Sequence, residues 1–402
     1  MFFRRKYKLE KRDSMYNNIG TNKKNKCFGC GACANICPKD AITLCEDEKG
    51  FLYPNIDKEK CIDCGKCKKV CYFYDKNKII NKPLHFYAVK HKNEKIRKVS
   101  TSGGAFTALA EHIINNNGVV YGATYDKDMV VFHERIDTVN GLNKLRGSKY
   151  VQSKIDYCFS KIERDLKDGL TVLFTGTPCQ AAAIKLYFKD RYQKLILCDI
   201  VCHGTPSPKT FRDHINFCEQ KTKKKIIDYQ FRIKDYGWHS TNHIERIKYK
   251  GGKNDSKTAL SQSFKYLFYS CKTLRDSCFE CPFANVDRVA DITIGDFWGI
   301  EKYYKEFDDN TGISLMIINT PKGADVFEKI NTIVDYIETD KEKSLQHNLI
   351  KPTNKPKGVE QFWQEYNVKG YRFILKKYTP YGIKNRCAYY VKNIIKKIIG
   401  RK

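Results

Sequence analysis

Two runs of four cysteines constrain this chain more than any other feature. They are Cys27, Cys30, Cys33, Cys37 and, starting 34 residues later, Cys61, Cys64, Cys67, Cys71. Both read C-x2-C-x2-C-x3-C; proline follows the first run and Tyr72 the second. Three thiolates at this spacing wrap three corners of a cubane iron–sulfur cluster, and the fourth points at a neighbouring cluster. The spacing therefore predicts Cys27, Cys30, Cys33 and Cys71 on one cluster, and Cys61, Cys64, Cys67 and Cys37 on the other. Gly29, Gly31 and Gly65 allow the tight backbone path that brings amide N–H groups to sulfur. Zinc is the alternative metal, but it favours separated cysteine pairs over tandem runs of four. Cys45 falls outside the pattern and reads as a small apolar residue of the intervening hairpin.

The remaining composition bounds the class. The chain has 402 residues, 41% hydrophobic and 13% aromatic, enough for two or three globular domains with a substantial core. No apolar run reaches the roughly 20 residues of a membrane span. The start, "MFFRRKYKLEKRDSMYNN", lacks the apolar centre of a secretory signal, so a cytoplasmic location is expected. Eighteen cysteines in such a protein point to metal and packing, not disulfides. The net charge of +29 raises nucleic acid as a partner. Residues 1–26 hold nine Lys/Arg against two acids, and residues 376–402 hold nine and none. No nucleic-acid-binding motif accompanies the charge, which an acidic electron-transfer protein or a phosphate-bearing cofactor explains as well.

Past a linker at 76–83, strands and helices alternate. Strands are expected at "HFYAVKH", "VVYGATYD", "MVVFHERI", "LTVLFTG", "KLILCDIVC", "ADITIGDFWG" and "GISLMIINT". Helices are expected in "STSGGAFTALAEHIINNNG", "KIDYCFSKIERDLKDG", "TPCQAAAIKLYF", "SPKTFRDHINFCEQ" and "ADVFEKINTIVDYI". "IDYQFRIKDYGWH" and "IERIKYKGG" read as a hairpin. The pattern implies an α+β chain whose body has a mixed sheet.

A second cysteine constellation follows. In "TGTPCQAAA", Thr177 can cap a helix, Pro178 suits its first position and Cys179 falls in the first turn, where the helix dipole favours a thiolate. Cys202 ends the next strand, at the sheet edge where βα loops gather. Cys278 and Cys281 form a C-x2-C in "RDSCFECPF". Together they supply four sulfurs, enough for a third cubane. Cys271, seven residues before Cys278, stands as an alternative to Cys202 or Cys179. Cys158, Cys198, Cys218 and Cys387 read as packing residues, and His203 as a structural histidine or a proton donor.

The first segment resembles bacterial two-cluster ferredoxins. Behind it, "TSGGAFTALA", "GSKYVQS", "TGTPCQ", "DIVCHGTPS", the C-x2-C and "ADITIGDFWG" occur in an order similar to the coenzyme F420 hydrogenase/dehydrogenase beta-subunit family, over roughly residues 20–345. The resemblance implies a ferredoxin-like domain with two 4Fe-4S clusters and a mixed-sheet flavin-binding body with FAD and a cubane of its own. Cys179, Cys202, Cys278 and Cys281 match that cluster's positions, and Ser102, Gly103 and Gly104 the flavin's. Lys149 would add a positive partner and Thr177 a donor. Phe297 and Trp298 would stack on the flavin or fill the core.

The expected organisation is a basic extension at 1–20, the two-cluster domain at 21–75 and a linker at 76–84. Domains like the N-terminal and C-terminal parts of the beta-subunit family follow at 85–165 and 166–345, then a basic extension at 346–402. In this extension, Ile383, Cys387, Val391, Ile394, Ile395 and Ile398 share one helical face, which suits an anchor at the inner membrane face or docking on the body. The function expected is an iron–sulfur flavoprotein oxidoreductase with a redox partner protein and a small-molecule or coenzyme acceptor, F420 or another. The alternatives are an electron-transfer subunit without its own substrate, and a basic nucleic-acid or membrane-surface module whose clusters are structural.

Overall fold

The computed structural model describes residue 19 and residues 24–74, 80–239 and 243–382. Residues 1–18 and 20 of the basic N-terminal extension, linker residues 76–79 and the tail from Ile383 lie outside the described residues. Among those described, no helix is long and apolar enough to cross a membrane.

The two cysteine runs are joined by an antiparallel hairpin, β1 (Ile42–Glu46) and β2 (Leu52–Ile56). The body is built on one eight-stranded mixed sheet. Its strands are β3 (His85–His91), β4 (Val119–Tyr125), β5 (Val131–Ile136), β6 (Val172–Gly176), β7 (Leu195–Ile200), β11 (Ile292–Asp296), β12 (Ser314–Ile318) and β13 (Val334–Thr339), in the order β13-β3-β12-β11-β7-β6-β4-β5. The four central strands, β11, β7, β6 and β4, are parallel, and the flanking pairs are antiparallel. Every residue of β12 is buried, as are five of six in β7. Continuous apolar runs of this kind fit strands covered on both faces.

The covering helices bury one stripe each. Phe159, Ile162 and Leu166 of Cys158–Lys167, with Ala181, Ile184 and Phe188 of Pro178–Phe188, pack on one face. Ala105–Asn115 and Pro321–Ile330 cover the other. Cys158 and Cys198 are buried in these cores. A smaller antiparallel sheet of β8 (Ile226–Ile233), β9 (Ile244–Tyr249) and β10 (Asn254–Asp255) packs with helix Pro208–Thr222 and buries Cys218.

The strands of 85–165 and of 166–345 thus share one sheet, with β4 of the first segment hydrogen-bonded to β6 of the second. The helix expected over "ADVFEKINTIVDYI" stops at Ile330, and Val334–Thr339 forms the edge strand β13 beside β3. A helix from Val359 to Tyr378, kinked at Gly370, packs Phe362, Trp363, Ile374 and Leu375 inward. It falls in the C-terminal extension, ahead of the amphipathic helix expected from Ile383.

Candidate metal centres

The dicluster segment sorts its cysteines into two cavities. Gly31 and Gly65, both with positive φ, each open a one-turn helix, and these short helices carry Cys33 and Cys67. Cys27, Cys30, Cys33 and Cys71 line the inner cavity with Phe28, Tyr72 and Phe73. Cys37, Cys61, Cys64 and Cys67 line the distal one with Pro38, Ile42 and Ile62. Backbone N–H groups point at sulfur: Gly29 donates to Cys27 Sγ at 3.4 Å and Ala41 to Cys37 Sγ at 3.3 Å. Burial pushes the Cys30 thiol up to about 12 and Cys71 to about 11, and neighbouring sulfurs repel a second charge while backbone N–H groups oppose the rise. Four thiols packed this closely ionise together only around a cation, so the donor set fits a metal cluster. Cys45 is exposed on β1.

The body gathers four more. Thr177 follows β6 and closes a capping box with Gln180, which starts helix Pro178–Phe188 with Cys179 in its first turn. Cys202 lies two residues past β7. Cys278 and Cys281 sit in and just after the 3-10 turn Asp276–Glu280. All four line one cavity with Pro178, His203, Thr205 and Arg275. Thr177 Oγ1 lies 3.2 Å from Cys179 Sγ, and Thr205 N donates to Cys278 Sγ at 3.5 Å. Burial drives Cys202 up to about 12 and Cys281 to about 11. Cys179, expected to ionise easily at its helix start, is held well above its ordinary value by burial, which outweighs the hydroxyl of Thr177 and the dipole. Cys271 is not among the residues lining this cavity. Its sulfur meets His203 Nε2 at 3.2 Å, and the His203 ring packs on Phe268.

The inner dicluster cavity and the body cavity share two walls. Phe28 and Cys179 line both. Phe28 also packs on Phe283 at 5.5 Å and Phe73 at 4.8 Å between ring centroids.

The five positions expected at a flavin are engaged within the chain. Ser102 Oγ donates to the Ile313 carbonyl at 2.7 Å, and Gly103 N donates to Ser314 Oγ at 3.0 Å. A Cβ on Gly103 would sit 2.3 Å from the Val89 carbonyl oxygen, so this glycine serves packing between strands. Gly104, at φ 90°, precedes helix Ala105–Asn115. Lys149 Nζ donates to the carbonyls of Lys144, Leu145 and Arg146, and burial pushes it down to about 7. Thr177 faces Cys179 and Gln180. These side chains alone do not fit a flavin, but their neighbours offer more. Arg232, on β8, donates to Asp296 Oδ2 at 2.7 Å, while its buried Nη2 has no hydrogen-bond partner among the described residues. Its guanidinium lies 4.6 Å from the ring of Trp298, which is 39% exposed and stacks on Trp238. Phe297 is core. The buried Arg232 guanidinium beside the part-exposed Trp298 suits an anionic ligand.

Sequence reasoning passed over Arg275, Arg232, Trp238 and Phe28. Their only signals were an arginine three residues before the C-x2-C, a lone tryptophan in "DYGWH" and an aromatic inside the first cysteine run; Arg232, in "YQFRIK", left none.

Residues 169–344 match the family described as the C terminus of the coenzyme F420 hydrogenase/dehydrogenase beta subunit, and residues 26–73 match the 4Fe-4S dicluster domain. A solved structure, the xenon-derivatised F420-reducing NiFe hydrogenase complex from Methanosarcina barkeri, aligns at a TM-score of 0.44 with 18% identity, over 77% of this chain and 97% of that one. No curated protein matches the chain.

Proposed function

We propose, for a chain that joins a 4Fe-4S dicluster domain to a coenzyme F420 hydrogenase/dehydrogenase beta-subunit domain, the role of an iron–sulfur oxidoreductase with three 4Fe-4S sites and a flavin. The distal site is held by Cys37, Cys61, Cys64 and Cys67, the inner site by Cys27, Cys30, Cys33 and Cys71, and the body site by Cys179, Cys202, Cys278 and Cys281. The carrying observation is adjacency: Phe28 and Cys179 border both the inner and the body cavities. When bound, clusters supply one-electron storage and a flavin converts between one- and two-electron chemistry. The chain holds the sulfurs in place, aims N–H groups at them and packs aromatic rings between sites. Arg232 and Trp298 are the residues we assign to the flavin. The partner proposed is an acidic redox protein, and the acceptor a small molecule or coenzyme of the F420 type.

Anaerobic purification with iron and acid-labile sulfide analysis tests the reading. Three cubanes require about twelve irons per chain. Cys179→Ser should lose or alter one of three paramagnetic signals in the reduced protein and leave the others. A chain with about eight irons, unmoved by Cys179→Ser, would remove the body site.

A second reading has an observation of its own. Because Ser102, Gly103, Lys149 and Thr177 are engaged internally, the chain also suits an electron-transfer subunit that holds clusters and passes charge without a flavin or substrate. Flavin bands near roughly 370 and 450 nm in the acid extract decide between the two.

A further inference from the structure

Four arginines are buried among the described residues: Arg97, Arg232, Arg275 and Arg288. Three pair with a carboxylate: Arg97 with Asp309, Arg232 with Asp296 and Arg288 with Asp199. Arg275, only 1% exposed, does not. Its Nε donates to the Cys27 carbonyl at 2.7 Å, one Nη to Gln152 Oε1 at 3.1 Å and the other to the Leu52 carbonyl at 2.8 Å. All three acceptors are neutral. The adjacent Asp276 is paired with Lys49. The rings of Tyr53 and Phe51 lie 4.2 and 5.2 Å from the guanidinium and close it off from water.

A buried guanidinium with neutral partners is costly unless an anion lies nearby. Two candidates flank it. Arg275 lines the body cavity and stands three residues before Cys278. It also binds the backbone at Cys27, the first cysteine of the inner site. Gly29 comes so close that a Cβ there would meet Arg275 Nη1 at 2.8 Å. A cubane with four thiolates carries net negative charge in either common oxidation state, and one-electron reduction adds another unit.

We propose that Arg275 is the built-in counter-charge shared by the inner and body clusters, and that it raises the reduction potential of both while leaving the distal cluster unaffected. The inference rests on the cluster reading above. Cluster potential follows local charge and hydrogen bonding, so a fixed cation between two clusters favours the extra electron on each.

The test is a paramagnetic-resonance redox titration of the full, anaerobically purified chain, with the distal signal assigned by Cys64→Ser. Arg275→Met should lower the reduced-to-oxidised ratio of two clusters at least tenfold at fixed potential, about 59 mV for a one-electron couple. The third should not move. Arg275→Lys keeps the charge and should restore most of the difference. Gln152→Glu leaves the fork in place and sets a carboxylate against it, so it should shift the same two clusters in the same direction. Unchanged potentials in Arg275→Met, or equal shifts of all three clusters, overturn the proposal. If Arg275→Met sheds iron, Gln152→Glu decides. If both shed iron and Arg275→Lys keeps it, the charge is what matters; loss from all three assigns Arg275 a purely structural role. A wild-type chain without three cluster signals would instead sink the reading beneath.

Discussion

Buried charge at single residues is resolved here in different ways. Arg288 has Asp199, and Arg275 has the sulfur sites. Glu245 on β9 resolves it by keeping its proton. Burial pushes its carboxyl up to about 8, although the Lys265 backbone N–H at 3.0 Å and the Lys265 ammonium pull the other way. The folded chain therefore binds a proton that the unfolded chain releases above the ordinary carboxylate range. Its contribution to stability is complete at low pH and is lost as pH rises from about 4.5 to about 8. Glutamine keeps the shape and does not titrate. Glu245→Gln should gain on wild type between pH 5 and pH 8, on the order of 1–3 kcal/mol in urea-denaturation midpoints converted to free energy. A difference that stays constant with pH would place the proton elsewhere.

At the scale of elements, helix Pro178–Phe188 links fold to site. Its start is set by Thr177, Pro178 and Gln180, and the first turn presents Cys179. Thr177→Val removes the cap and the hydroxyl beside sulfur together, whereas Thr177→Ser keeps both. The valine variant should lose about 1 kcal/mol of stability and alter the body-cluster signal, and the serine variant should do neither. Equal behaviour of the two would mean that the β6 edge alone fixes Cys179. This element was legible because caps and ligand spacing are local. The same holds for the two cysteine runs, whose spacing already sorts them into the sets the fold brings together. The β6 and β7 edges that bring Cys179 and Cys202 together also followed from alternating strands and helices. Non-local features were not legible. "VDYIET" continues an amphipathic helical run, and only pairing with β3 makes it a strand. Arg275 reads as an ordinary surface charge until its burial is known. The glycines of "STSGG" read as a ligand cradle, yet Gly103 is a close strand contact.

At the scale of the whole molecule, the three sulfur sites differ in access. Cys64 and Ile62 at the distal site are exposed, the latter by 59%, while Cys30 of the inner site and Cys179 and Cys281 of the body site pack against the core under the large sheet's helices. The distal end is therefore where a partner protein can approach. The exposed lysines of this segment, Lys39, Lys58, Lys60, Lys66 and Lys69, are balanced by exposed Asp40, Glu46, Glu48, Asp57 and Glu59, so any pull on an acidic partner comes from the +29 of the chain as a whole. Such a field steers acidic partners, raising encounter rates by roughly 10- to 1,000-fold, and salt screens it over a Debye length of about 10 Å at 0.1 M. Reduction by an acidic ferredoxin, followed by stopped-flow bleaching, should slow at least about tenfold between 0.05 and 0.5 M salt. A basic donor protein should show the opposite trend. Cys64→Ser should slow entry from the ferredoxin at low salt while leaving the inner and body signals in the chemically reduced protein. If the variant accepts electrons from ferredoxin as fast as wild type, the partner meets the body directly, and the distal cluster is a side branch of the relay.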